Sequence, residues 1–170
     1  MLSITGAAAM RQLGIRLAAG LRGGDVLLLH GDLGAGKTTL TQGIAAGLRV
    51  PEPVQSPTFG LVAEHDGVAA DGSPVRLYHL DLYRLDDPAG LEALGFDRYA
   101  DPDDGISVIE WPERAAGWLP ERYLLVTIGH AGVDERSVGI RAVGATDVPD
   151  AGMAGSPGAD TRDQSVRDER

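Results

Sequence analysis

Apolar positions along the chain recur first at helical and then at strand spacing. Met10, Leu13, Leu17 and Leu21 share one face of a 3.6-residue repeat, and Gly23-Gly24 breaks it, which predicts a helix over residues 6–21. Asp25 then opens the run Val26-Leu27-Leu28-Leu29-His30, which lacks alternation and is bounded by glycine-rich segments. Such a run reads as a strand buried on both faces. Residues 37–48 return to helical character and stop at Val50-Pro51. Phe59 to His65 and Val75 to Asp81 read as two strands across an Asp/Gly-rich connection, a predicted hairpin. Asp87-Pro88 has the form of an N-cap followed by proline at the first helical position, and Gly95 closes that helix. Ile106 to Glu110 is another buried strand, Pro112 starts a short helical turn ending near Gly117, and Tyr123–Ile128 with Ser137–Val143 predict a final antiparallel pair. The fold class that follows is α/β, with a mixed parallel and antiparallel sheet flanked by helices.

The pattern stops at residue 143. Residues 144–170 lack periodic apolar positions, are rich in Gly, Ala, Asp, Ser and Pro, and hold six acids against three arginines. They read as a disordered acidic tail, and residues 1–143 as one domain without internal repeats. Composition adds exclusions. The net charge of −10 argues against a broad basic face, so any nucleic acid is expected to be carried by a partner. Aromatic residues are 5%, too few for a base-stacking platform. With no cysteine, disulfides and thiolate metal sites are excluded. No secretory leader and no apolar run of about 18 residues is evident, and a cytoplasmic setting is expected.

Chemistry enters at "GDLGAGKTTL", residues 31–40, which holds the only lysine of a chain with 14 arginines. Gly31, Gly36, Lys37 and Thr38 match G-x-x-x-x-G-K-[ST] between a predicted strand and a predicted helix. Small residues at 34–36 let backbone N–H groups wrap a phosphate, and the helix N-terminus adds partial positive charge. A slim ammonium reaches the β- and γ-phosphates where a flat guanidinium does not fit, and the Thr38 hydroxyl suits Mg²⁺. The expected nucleotide contacts are Gly34, Ala35, Gly36, Lys37, Thr38 and Thr39.

A phosphate loop also needs a carboxylate on a neighbouring strand, to hold the metal or orient the attacking water. Asp81 closes "LYHLD" and Glu110 closes "ISVIE". Glu110 is expected with Thr38 at the metal and Asp81 nearer the γ-phosphate or its water, although the residues alone leave that division open. Thr58 of "SPTF" stands where a switch segment would sense the γ-phosphate. Arg84 suits the phosphates or a structural salt bridge, and Trp111 suits the nucleotide or the core. His30 and His79 read as ordinary strand residues. The chain has no asparagine for a guanine-reading element and no LSGGQ-like signature. A small-molecule kinase and a non-catalytic nucleotide sensor remain open on these residues.

Four segments narrow the choice. "LLLHGDLGAGKTTLTQGIAAGL", "SPTFGLVAEH", "LYHLDLYRL" and "LGFDRYADPDDGISVIEWPERAAGWLP", in that order and spacing, resemble the bacterial TsaE family over residues 5–143. The resemblance implies a small P-loop ATPase that needs ATP and Mg²⁺ and acts in tRNA threonylcarbamoyladenosine (t6A) modification. It implies TsaB and TsaD as partners, with the transfer chemistry on TsaD, ATP turnover supporting cycling of that complex, and tRNA met only through it. It carries Gly34 to Thr39 over as nucleotide contacts, Thr38 and Glu110 as Mg²⁺ ligands, and Asp81, Glu110 and Thr58 as catalytic or switch positions. Activity is expected to be weak alone and stimulated by the partners, because no arginine finger is evident. Met10 departs from the hydroxyl residue that many family members carry at its position.

Overall fold

The structure, a computed structural model, describes residues 1–57 and 59–144. Thr58 and, apart from Gly144, the expected tail lie outside the described residues. The elements are β1 (Leu2–Thr5), α1 (Gly6–Ala18), β2 (Val26–His30), α2 (Lys37–Gly47), β3 (Val62–Val68), β4 (Pro74–Asp81), α3 (Ala89–Leu94), α4 (Asp97–Ala100), β5 (Gly105–Glu110), β6 (Tyr123–His130) and β7 (Glu135–Val143). A 3-10 turn, Pro112–Ala115, follows β5.

The strands form one seven-stranded sheet in the order β1-β7-β6-β2-β5-β4-β3. β6, β2, β5 and β4 are mutually parallel, whereas β1, β7 and β3 add antiparallel edges. The mixed sheet expected from the sequence is therefore the observed one. Its two faces bury two separate sets of side chains. Leu27 and Leu29 of β2 join α1 and α2 in one cluster, while Val26 and Leu28 join Leu91, Phe96 and Tyr99 in the other. The unbroken apolar run of β2 follows from this covering of both faces.

The differences from expectation have local causes. β1 is too short to show a pattern, and it forms by pairing Leu2–Thr5 with Val138–Glu135 at the sheet edge. α1 ends at Ala18, and Leu21 is buried from the loop beyond it. The hairpin pairs Val62 with Leu80 and Val68 with Pro74, three residues later than expected in its first strand, because Phe59 and Gly60 turn before it. The helix expected from Pro88 begins one residue later, at Ala89 with Pro88 in the cap position, while Asp87 Oδ1 accepts the Ala89 N–H at 2.9 Å and Gly95 ends α3 at φ +68°.

α1 lies directly on α2, and the approach is close because glycines face it. A Cβ on Gly43 would overlap the Arg11 carbonyl, and one on Gly14 would overlap the Leu40 carbonyl. Both collisions involve helical backbone, which cannot give without separating the helices. Gly43→Val should therefore lower the free energy of unfolding by about 1–3 kcal/mol. Urea denaturation measures it, and a variant as stable as the wild type would show that the helix contact is not closed to a side chain.

Candidate nucleotide-binding site

The loop 31–36 leaves the C-terminal end of β2, a central parallel strand, and turns into α2 at Lys37. Gly36 takes φ +111° as the residue before the helix, a backbone that a side chain would strain. The first helical bond of α2 runs from the Leu40 N–H to the Gly36 carbonyl at 2.9 Å. The N–H groups of Lys37, Thr38 and Thr39 thus have no intrahelical acceptor and mark an anion-binding end. Ala35 is buried, and its carbonyl accepts a hydrogen bond from Arg136 Nε of β7 at 3.2 Å. The buried side chain of Met10 packs against Gly36.

Lys37 folds back over its own loop. Its Nζ donates to the carbonyls of Gly31 at 2.5 Å and Asp32 at 2.8 Å, and lies 4.0 Å from the centre of the Trp111 ring. Burial pushes the ammonium below its ordinary pKa of 10.5, while the carboxylates of Glu110 and Asp81 pull the other way. The charge is thus partly desolvated and disfavoured despite the carboxylates around it, and a phosphate bound beside it would favour the charged form.

The two strand-end acids meet at this loop. Asp81 of β4 and Glu110 of β5 are register partners, and Glu110 also pairs with Leu29 of β2. The Thr38 hydroxyl donates to Glu110 at 3.0 Å from Oε1 and 3.2 Å from Oε2. Asp81 accepts from the Ser56 hydroxyl at Oδ2 and from the Tyr83 N–H at Oδ1, 3.0 Å. Ser56, two positions before Thr58 in the sequence, is therefore tied to Asp81. Trp111 takes φ +57°, which breaks strand alternation. Consecutive residues Glu110 and Trp111 consequently face consecutive residues Thr38 and Lys37. Tyr83 packs on Trp111 with ring centres 4.9 Å apart, and Arg84 lies over the exposed Phe59 ring at 5.0 Å.

Sequence reasoning passed over three residues. His79 is fully buried, with Nε2 2.8 Å from Glu110 Oε1. Its signal was its place two residues before Asp81, on the same side of a strand. Ser56 and Arg136 act through tertiary contacts and carry no local signal.

A strand, a glycine loop, a helix starting at a buried lysine and a hydroxyl bonded to a carboxylate on the adjacent parallel strand define a P-loop nucleotide-binding protein. The family model described as "Threonylcarbamoyl adenosine biosynthesis protein TsaE" matches residues 4–138, and the chain belongs to the TsaE family. Proteins named tRNA threonylcarbamoyladenosine biosynthesis protein TsaE are similar to it. The one from Bacillus subtilis is 44% identical over 128 residues, 75% of each chain. That from Nostoc is 46% identical over 125 residues, covering 71% of this chain and 73% of the relative. The one from Streptomyces coelicolor is 44% identical over 123 residues, covering 72% and 80%. A solved structure titled as that of YdiB from Bacillus subtilis superposes with a TM-score of 0.67 at 35% identity, covering 84% of both chains.

The lowered pKa of Lys37 has a measurable sign. In the folded protein without nucleotide, the ammonium is disfavoured relative to the unfolded chain. That cost is fully present below the depressed folded pKa and disappears as pH rises through it toward 10.5. Wild-type stability should therefore rise relative to Lys37→Met across that alkaline window. Parallel pH–stability curves for the two proteins would contradict the burial assigned to the ammonium.

Proposed function

We propose that this protein is the ATP-binding and ATP-hydrolysing component of the t6A modification machinery, and that its turnover cycles a complex of TsaB- and TsaD-like proteins. The observation that carries the reading is the bond from Thr38, on the phosphate loop, to Glu110, with Asp81 beside it in register. Family membership supplies the pathway.

The donor set suits a small divalent cation. Thr38 Oγ1 and the Glu110 carboxylate are hard oxygens at one place, which fits Mg²⁺ rather than a soft metal. Among the described residues no cluster of three His, Cys, Asp or Glu is arranged to hold an ion. Mg²⁺ is thus expected to be shared with nucleotide phosphates, as is usual where the protein supplies one or two ligands. Bound there, it would neutralise charge developing on the phosphates. The chain's own contribution is positional. Backbone N–H groups of residues 34–39 wrap the phosphates, and Lys37 exchanges loop carbonyls for phosphate oxygens. Asp81, both of whose oxygens accept hydrogen bonds, is assigned to orienting an attacking water, and Thr58 to sensing the γ-phosphate.

Activity alone is expected to be weak. Arg136, the arginine that the hydrogen bonds place at the loop, donates from Nε to the Ala35 carbonyl and from Nη1 to the carbonyls of Gly132, Val133 and Glu135. It is therefore poorly placed to act as a finger on the transferred phosphate. No helix among the described residues is long and apolar enough to cross a membrane, and a cytoplasmic setting is part of the proposal.

The test is ATP hydrolysis by the full chain with Mg²⁺, with and without purified TsaB–TsaD. Partner addition should raise the rate by at least tenfold, on the low side of what a supplied catalytic group contributes. Equal rates in both conditions would refute the partner role. Lys37→Ala should lose nucleotide binding, and Glu110→Ala should chiefly reduce turnover and Mg²⁺ dependence. ADP release that depends on a small-molecule acceptor would instead indicate a kinase.

A further inference from the structure

Position 79 raises a question that folding alone does not answer. His79 lies on the side of β4 that faces α1 and α2, in the same row as Leu77, which is fully buried in the apolar cluster there. The His79 side chain is likewise fully buried, and its Nδ1 meets no hydrogen-bond partner among the described residues. A buried nitrogen without a partner is unfavourable, and a leucine would fill this row without one. The imidazole is compensated at its other nitrogen, where Nε2 lies 2.8 Å from Glu110 Oε1. A carboxylate oxygen accepts, so Nε2 carries the hydrogen and donates it.

Glu110 is itself buried, and among the described residues its carboxylate has two side-chain donors, the Thr38 hydroxyl and His79 Nε2. These differ in kind. Thr38 belongs to the helix start that changes company when a nucleotide and its cation arrive. His79 belongs to a central strand, paired with Ala63 on one side and Val108 on the other, and has no such freedom. The bond from His79 falls on Oε1, which leaves Oε2, 3.2 Å from the Thr38 hydroxyl, as the oxygen without a second donor among the described residues.

We infer that His79 is the positioning residue of this site: by anchoring Oε1 it fixes the Glu110 carboxylate so that Oε2 is presented to the cation shared by Thr38 and the nucleotide. The inference rests on the nucleotide and Mg²⁺ reading above. It assigns His79 no contact with nucleotide, phosphate or cation; the residue acts through Glu110. A partner that holds a ligating carboxylate sets its orientation, and losing one typically weakens metal affinity by about 10–100-fold.

The experiment uses the full chain and the non-hydrolysable analogue adenosine 5′-(β,γ-imido)triphosphate. Its affinity is measured by calorimetry in EDTA and at a series of free Mg²⁺ concentrations. In His79→Leu the affinity in EDTA should match the wild type, because the backbone cradle is intact. The Mg²⁺ concentration at half-maximal effect should rise about tenfold. His79→Gln, which keeps an N–H donor of similar reach, should restore most of the wild-type response, and the shorter His79→Asn should not. Should His79→Leu fail to fold, the Gln and Asn pair carries the same test. His79→Leu added to Glu110→Ala should give no shift beyond that of Glu110→Ala alone.

An unchanged Mg²⁺ midpoint in His79→Leu, or a double variant whose shifts add in full, would overturn the positioning role and leave the nucleotide reading standing. An equal loss of affinity with and without Mg²⁺ would overturn it in favour of a purely structural histidine. Equal Mg²⁺ midpoints for the Gln and Asn variants would overturn it as well. Wild-type affinity that ignores Mg²⁺ would overturn the underlying reading and this inference together.

Discussion

The parallel register of β2, β5 and β4 is the constraint on which the nucleotide site depends. It puts Leu29, Glu110 and Asp81 side by side at the ends of three adjacent strands, beside the loop that β2 feeds. A slip of one residue in β5 would turn Glu110 to the opposite face of the sheet, away from α2, because side chains alternate along a strand. The register is held by Ile106 and Val108, which alternate with Glu110 and bury in the cluster beneath α1 and α2. Apolar burial thus aims a carboxylate that contributes nothing apolar itself. The bond from Thr38 to Glu110 then ties the start of α2 to the sheet.

Trp111 extends this placement by violating the rule that made it. Strand alternation would send residue 111 away from the loop. The left-handed turn at φ +57° brings its ring to 4.0 Å from Lys37 instead. Such a conformation costs on the order of 1–3 kcal/mol in a residue other than glycine and persists only where surroundings enforce it. Here the surroundings are the Tyr83 ring and the 3-10 turn at Pro112 immediately after. The residues on either side of the strand's last peptide therefore serve adjacent positions of α2, one by hydrogen bond and one by cation–π contact.

How much of this was legible depended on the range of the interaction that made it. β2, the glycine loop and α2 were readable because their cause is local: an unbroken apolar run, small residues and a helix-compatible segment. Asp81 and Glu110 were readable as acids ending apolar runs. Their adjacency was not, since it depends on a parallel pairing between strands 29 residues apart in register. His79 is the strand residue expected, but its bond to Glu110 was hidden for the same reason, because that partner lies on the neighbouring strand. Ser56 and Arg136 reach the site across 25 and 101 residues of chain, beyond any local pattern. β1 escaped notice because four residues at a sheet edge carry too little pattern.

The loop is held from outside by interactions of different kinds, and this bears on what it can select. Met10 supports Gly36 by packing, Arg136 holds the Ala35 carbonyl, and Trp111 covers Lys37. A loop already ordered loses little conformational entropy on binding. Two of the three donors of Lys37 are satisfied at Gly31 and Asp32, so a ligand that merely replaced one neutral carbonyl by another would gain almost nothing. An anionic phosphate gains more, because charge-assisted bonds are stronger and because burial has left the ammonium disfavoured in the free protein. The nearby acids restrict the gain further. Glu110 and Asp81 repel a bare polyphosphate, and a divalent cation bound with it removes that repulsion. On the proposed Mg²⁺ reading, selection for an anion accompanied by its cation follows from one buried lysine set among carboxylates, before any contact with a base or a partner is considered.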